Sequence, residues 1–197
     1  MDIEILYNSV VTEHKVTIEK MLSSTSLLQQ IADTSQLLLT AIRNGKKLLI
    51  CGNGGSAADA QHIATEFVCR FYVDRKALNA ESLSVNTSSL TAISNDYSFK
   101  NIFSRQIEAK GHSGDVLFGI STSGTSENII SAFDFAKTIG MKTVCFTGSG
   151  APSSLDALCN IVIRVPSSCT PRIQECHILL GHIICEFIED TLFGKTE

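Results

Sequence analysis

Cys51-Gly52-Asn53-Gly54-Gly55-Ser56-Ala57-Ala58-Asp59-Ala60-Gln61-His62-Ile63-Ala64-Thr65-Glu66 is the stretch that decides the fold. An apolar run, Lys47–Cys51, enters a glycine-rich turn and leaves it as a helix-forming segment. Glycines let backbone N–H groups come close to a ligand, and a helix N-terminus favours an anion. His62 and Glu66 then fall four residues apart, on one face of the helix. That spacing suits a shared metal ion or coupled acid–base work, and it equally suits an ion pair on a helix surface.

Outward from this stretch the same alternation continues. Strands are expected at Lys47–Cys51, Ser82–Val85, Val116–Ser121, Thr143–Thr147 and Ile161–Val165. Helices are expected near 56–71, 89–95, 99–109, 125–138 and 152–157. Short, nearly continuous apolar strands separated by helices imply an α/β fold, a doubly wound parallel sheet covered on both faces. Before the sheet, residues 2–43 read as helix, divided near Ser23-Ser24-Thr25-Ser26 and ended by Asn44-Gly45. No repeat or low-complexity tract interrupts the chain, which reads as a single domain over 1–197 with a helical segment at about 2–43 and a sheet-and-helix core at about 46–192.

The last helix is expected to begin at Thr170-Pro171, with Thr170 as N-cap, and to run to about Leu192. Ile173, His177, Leu180, Ile184, Phe187 and Thr191 form one stripe on it, and Gln174, Ile178, His182 and Cys185 form another. A helix with two partly apolar sides is expected to bury both, one of them against another subunit. His177, on the first stripe, reads as a core histidine. Gln174 and His182 lie eight residues apart, roughly 80° around the helix and about 12 Å along it. To share one ion they require a bent helix or contributions from two subunits.

A second glycine-rich turn, Gly119-Ile120-Ser121-Thr122-Ser123-Gly124-Thr125-Ser126, closes the third strand. Hydroxyls and backbone N–H groups at a helix start suit a phosphate. No Gly-Lys-Ser/Thr follows, so it is not a nucleotide-triphosphate loop, and the first turn lacks the spacing of a dinucleotide fingerprint. In a parallel sheet both turns fall beyond the carboxyl ends of the strands, where ligands bind. Arg70, one turn past Glu66, is placed to neutralise substrate charge. Asn95-Asp96 could meet sugar hydroxyls or simply end a helix.

The bulk composition bounds the rest. The 197 residues are 44% hydrophobic and 18% charged with a formal net charge of −4. This balance gives no electrostatic footprint for nucleic acid or for an anionic membrane. The seven cysteines form no CxxC pair and mostly lie in apolar runs, as expected of reduced thiols in a cytoplasmic protein. The N-terminus carries acids where a signal peptide has a basic segment, and no apolar run approaches the roughly 20 residues that span a bilayer.

Taken together, CGNGGSAADAQHIATEF, AISNDYSF, NIFSRQIEA, GDVLFGISTSGTSENII and TPRIQECHILLGHI resemble, in order and spacing, the sugar isomerase (SIS) domain family, and within it the phosphoheptose isomerases. The resemblance covers roughly residues 30–192. It implies a flavodoxin-like five-stranded parallel sheet, a homotetramer with interfacial active sites, and conversion of sedoheptulose 7-phosphate to D-glycero-D-manno-heptose 7-phosphate for lipopolysaccharide or other surface heptose. By motif, the resemblance implies substrate contacts at Asn53, Gly54, Gly55, Ser56, Glu66, Arg70, Asn95, Asp96, Ser121, Thr122, Ser123, Ser126 and Gln174. Glu66 and His182 match the acid–base pair. His62, Glu66, Gln174 and His182 match the ligands of one zinc ion per subunit. Thr125 and Asn86 stand where many members carry asparagine and aspartate, and Pro171 stands where some members carry aspartate, as in another branch. A non-enzymatic relative, the DnaA initiator-associating protein, is also similar, but it lacks the glutamate that stands here as Glu66.

Overall fold

The sequence divides itself at its polar and glycine-rich junctions, and a computed structural model describes residues 1–150 and 152–194. Helix α1 (Ile3–Leu22) and helix α2 (Thr25–Arg43) meet at Ser24, whose hydroxyl accepts the N–H of Leu27 at 3.2 Å and so starts α2. Then follow β1 (Leu48–Gly52), α3 (Gly55–Val68), β2 (Ala80–Ser82), α4 (Thr87–Asp96), α5 (Ser104–Lys110), β3 (Val116–Ile120), α6 (Glu127–Thr138), β4 (Lys142–Thr147), β5 (Ile161–Arg164) and α7 (Thr170–Phe193).

Among the described residues the strands form one parallel sheet in the order β2-β1-β3-β4-β5, the doubly wound topology the sequence implies. β1 and β3 are buried along their whole length. Alternate side chains of β1 feed two cores. Leu48 and Ile50 join the residues of α2, α3 and α7 on one face. Leu49 and Cys51 join those of α5 and α6 on the other. The order reverses between β1 and β3, and there the β1–α3 and β3–α6 loops emerge side by side.

Three expectations shift. β2 occupies Ala80–Ser82 instead of Ser82–Val85. As an edge strand it pairs only with β1; Leu83 is fully buried beyond it, while Val85 is half exposed and contributes no pairing. The segment at 152–157 forms no α-helix. The Asp156 carboxylate accepts the Ser153 N–H at 2.7 Å and pairs with Arg164, and the chain is held in a single 3₁₀ turn, Asp156–Leu158. α7 is capped at Cys169 rather than Thr170, with no side-chain cap, and Pro171 sits in its first turn.

The turn after β1 depends on a missing side chain. A Cβ on Gly52 would lie 2.3 Å from the Ser56 carbonyl oxygen and 2.6 Å from its carbon. These are backbone atoms and cannot swing aside, so α3 can start this close to β1 only behind glycine. A Gly52→Ala variant is expected to lose about 1–3 kcal/mol of stability, as overpacked cores do. Urea unfolding checks this; an unchanged midpoint would contradict the close approach.

Candidate active site

α3 and α7 run side by side in the same direction, and the contacts along them define the site from end to end. At the start of α3, a Cβ on Gly55 would lie 2.6 Å from Gln174 Nε2. Further along, a Cβ on Gly181 would lie 2.7 Å from Ile63 Cδ1, so this glycine lets the helices close together. Beside that contact His182 Nε2 lies 3.2 Å from His62 Nε2, and His62 Nε2 lies 3.1 Å from Glu66 Oε1. At the far end, the Glu189 carboxylate accepts the backbone N–H groups of Phe71, Tyr72 and Val73, and pairs with Arg75 at 2.8 Å. The side chains of Arg75 and Glu189 are 3% and 2% exposed.

The His62–Glu66–His182 cluster thus assembles within one chain. Its three ligand atoms all lie within 4.8 Å of one another. Two imidazoles and a carboxylate are a zinc donor set. Ligands bonded at about 2.0–2.1 Å in a tetrahedron sit about 3.3 Å apart, and the 3.2 and 3.1 Å separations here come close to that edge. The residues fit the ion. Gln174 stands elsewhere in the same chain, against Gly55, seven residues before His62 on α3.

One further side chain steadies this cluster, and two others lie close to it. Arg75 donates to the carbonyls of Glu66 and Phe67, each at 2.7 Å, which fixes the last turn of α3. Burial pushes the Asp59 carboxyl above its ordinary range, and the nearby His62 pulls the other way. Asp59 Oδ2 is buried without a hydrogen-bond partner among the described residues. The Phe71 ring centroid lies 5.6 Å from that of His182. Arg70, beside Phe71, is exposed.

The other half of the candidate site is built from the two loops that follow β1 and β3. α1, α2 and α4 begin with side-chain caps from Asp2, Ser24 and Asn86. α3 and α6, which follow β1 and β3, have none. Gly54, at the start of α3, has φ +55°, a conformation that favours glycine. The Ser121 and Ser126 hydroxyls are 3.2 Å apart, and Ser123 Oγ accepts the Thr125 N–H at 3.2 Å. Ser56 is buried in the first turn of α3. Thr122 is half-buried and Ser123 exposed between them. Two uncapped helix starts and a row of hydroxyls together offer an anion both backbone N–H and hydroxyl donors.

Two other sets of sequence candidates stand on α4 and α7. Asn95 and Asp96 end α4, where the Asn95 amide donates to the Asp96 carboxylate at 2.8 Å, and no hydrogen bond among the described residues ties them to the two loops. His177 lies in the core, as its stripe implied: it is fully buried, its Nε2 bonds the Thr147 carbonyl at 3.2 Å, and burial lowers its pKa to about 4. It is neutral at ordinary pH. The reading of the sequence missed Asn128, Asp59, Arg75 and Glu189. Only Glu189 carries a visible signal, a charged residue four after Cys185 on a stripe that is otherwise partly apolar.

A doubly wound sheet with two uncapped helix starts at its switch point, and a His–Glu–His cluster further along the first of those helices, is the arrangement of a SIS-type domain. The SIS domain family model matches residues 13–148. A phosphoheptose isomerase of Clostridium acetobutylicum is 54% identical over 177 residues, 90% of each chain. One from Burkholderia pseudomallei is 48% identical, over 95% of this chain and 94% of the other. Among solved structures, phosphoheptose isomerase GmhA from Neisseria gonorrhoeae superposes with a TM-score of 0.84 at 40% identity, over 94% of this chain and 99% of that one. One from Francisella tularensis superposes at 0.91 with 34% identity, over 96% and 100%. The chain belongs to the SIS domain family, among the phosphoheptose isomerases.

Proposed function

We propose that the chain converts sedoheptulose 7-phosphate to D-glycero-D-manno-heptose 7-phosphate, an aldose–ketose isomerisation at C1 and C2 that supplies surface heptose. The observation that carries this reading is the His62–Glu66–His182 cluster, formed within one chain further along α3 from its uncapped start. Glu66, absent from the non-enzymatic relative, favours an enzyme.

In the reaction Glu66 removes the proton from C1 of the ketose. The electron pair forms the C1–C2 double bond of the enediol, and His182 delivers a proton to the C2 oxygen as charge develops there. The C1 hydroxyl proton passes back to His182, and Glu66 returns its proton to C2, leaving an aldehyde at C1. His62, 3.1 Å from Glu66, fixes the carboxylate's orientation. Ser121, Thr122, Ser123 and Ser126, with the backbone of Asn53, Gly54 and Gly55 and the start of α6, receive the phosphate and set the reacting carbons in place. Arg70 adds positive charge, Gln174 and Ser56 line the α3 start, and Asn95 and Asp96 serve sugar hydroxyls. His62, Glu66 and His182 would hold one zinc ion, which would polarise the carbonyl and its neighbouring hydroxyl in place of the His182 proton; the family resemblance implies Gln174 as a further ligand, which would come from another subunit because this chain's own Gln174 stands at the start of α3.

Apolar side chains left in water support a homotetramer. Leu179, Ile183 and Phe187 are 40%, 42% and 47% exposed along one side of α7. They continue into a groove lined by Ile18, Met21, Leu22 and Leu28. A contiguous apolar patch of this kind is covered in an assembly. We take residues 1–197 to act as one domain in the cytoplasm, where its cysteines stay reduced. No helix among the described residues is long and apolar enough to cross a membrane.

A direct assay with sedoheptulose 7-phosphate tests the reading. The purified protein is expected to turn the substrate over, to lose most activity after treatment with a chelator, and to regain it with added zinc. Full activity after verified removal of metal would contradict the zinc assignment. No turnover in any metal state would contradict the isomerase reading.

A further inference from the structure

Asn128 takes no part in the chemistry above, yet it is 2% exposed and its amide makes three hydrogen bonds. Its Oδ1 accepts Asn53 Nδ2 at 2.9 Å and the Ile129 N–H at 3.0 Å, and its Nδ2 donates to Asn53 Oδ1 at 2.8 Å. Both lone pairs of the oxygen are in use. Asn53 stands in the β1–α3 loop and Asn128 in the first turn of α6. The pair is therefore a reciprocal two-bond bridge between the β1–α3 loop and the start of α6, 75 residues apart in sequence.

We infer that Asn128 is a positioning residue that locks the two loops into one phosphate cradle, so that the starts of α3 and α6 hold the same phosphate together. The inference rests on the sugar-phosphate reading above. Three observations lead to it. The bridge is buried on its Asn128 side and half-buried at Asn53, and two bonds made in opposite directions between the same two amides fix one loop geometry. Asn128 Oδ1 also occupies the Ile129 N–H, while the Ile130 N–H bonds the Ser126 carbonyl at 3.0 Å. The N–H groups of Ser126, Glu127 and Asn128 are left without partners among the described residues. Lastly, the Asn53 side chain is committed to Asn128, so Asn53 meets the ligand through its backbone, and the placement of that backbone depends on the bridge.

Steady-state kinetics with sedoheptulose 7-phosphate, together with competition by inorganic phosphate, test this on the full-length protein. Asn128→Ala removes the bridge. Asn128→Ser also removes it but keeps an oxygen acceptor in the first turn of α6, and Asn53→Ala reads the bridge from its other side. Each is expected to raise KM and the phosphate inhibition constant in parallel by about tenfold, a factor worth about 1.4 kcal/mol, with kcat nearly unchanged. Because the two amides act as a unit, the Asn53→Ala/Asn128→Ala double variant is expected to be no worse than the weaker single. A lowered melting temperature with KM and phosphate inhibition unchanged would overturn the inference, as would additive effects in the double variant. Failure of the wild-type protein to turn over substrate would instead strike at the isomerase reading, and phosphate-dependent thermal stabilisation of the same variants would then decide the role of the bridge.

Discussion

A Glu66→Gln variant is expected to lose turnover by about 10²–10⁴-fold, the range that a positioned general base supplies. The carboxamide has the same shape and can still meet His62, so packing around the last turns of α3 is preserved, and that turn stays fixed by Arg75 through the Glu66 and Phe67 carbonyls. What the change removes is the ability to accept the C1 proton, along with the negative charge that a zinc donor set needs. KM is expected to change far less, because the phosphate is held at the other end of α3. Turnover assays on the folded variant, with circular dichroism to show an intact fold, check this. Activity within a few-fold of wild type would remove Glu66 from the role of base.

Glu189→Ala should have the largest effect on stability. The Glu189 carboxylate accepts three consecutive backbone N–H groups and pairs with Arg75, and removing it leaves a buried guanidinium unpaired. Breaking such a pair from one side costs about 3–5 kcal/mol, or roughly 10 °C in melting temperature for a chain of this size. The effect has a pH signature. Burial opposes ionisation of Glu189, but the N–H groups of Phe71, Tyr72 and Val73, with Arg75, hold its carboxyl below the ordinary range. Its contribution is therefore fully present above the unfolded value of about 4.3 and is lost as pH falls through the lower folded value. The stability gap between wild type and Glu189→Ala should be constant near neutrality and narrow in strong acid. Chemical unfolding at matched protein concentration, at pH 7 and below pH 4, measures both; a gap that widened on acidification would refute the assignment.

How much of this was legible in the sequence follows from which interactions are local. The β1 turn, the hydroxyl loop after β3 and the four-residue step from His62 to Glu66 are written in contiguous residues, and they stand where the pattern placed them. Strands with a partner on each side matched their apolar runs to within a residue. Of the two edge strands β5 also matched, and β2 did not: Leu83 still donates its N–H to Ile50 and packs in the core, but the chain turns away there, so Ser84 and Val85 extend no strand. The union of His182 with His62 was carried by resemblance alone. Physically it depends on two helices running parallel with Gly181 at their contact, a packing that periodicity does not report. Asn128 and Asp59 left no mark because a buried polar residue near a helix start looks like an ordinary cap or a solvated face until its partner is known. Seven cysteines read as thiols, and four of them are buried in the two cores.

α3 begins at the proposed phosphate site and carries His62 seven residues later, about 10 Å along its axis at the rise of an α-helix. Helices do not stretch, so this interval is a ruler. A phosphate docked at one end sets how far a carbon chain must extend before its carbonyl reaches the other. If the phosphate docks there as proposed, shorter sugar phosphates are expected to bind at the start of α3 without being turned over, so that chain length, measured along the backbone of a single helix, separates occupants from substrates.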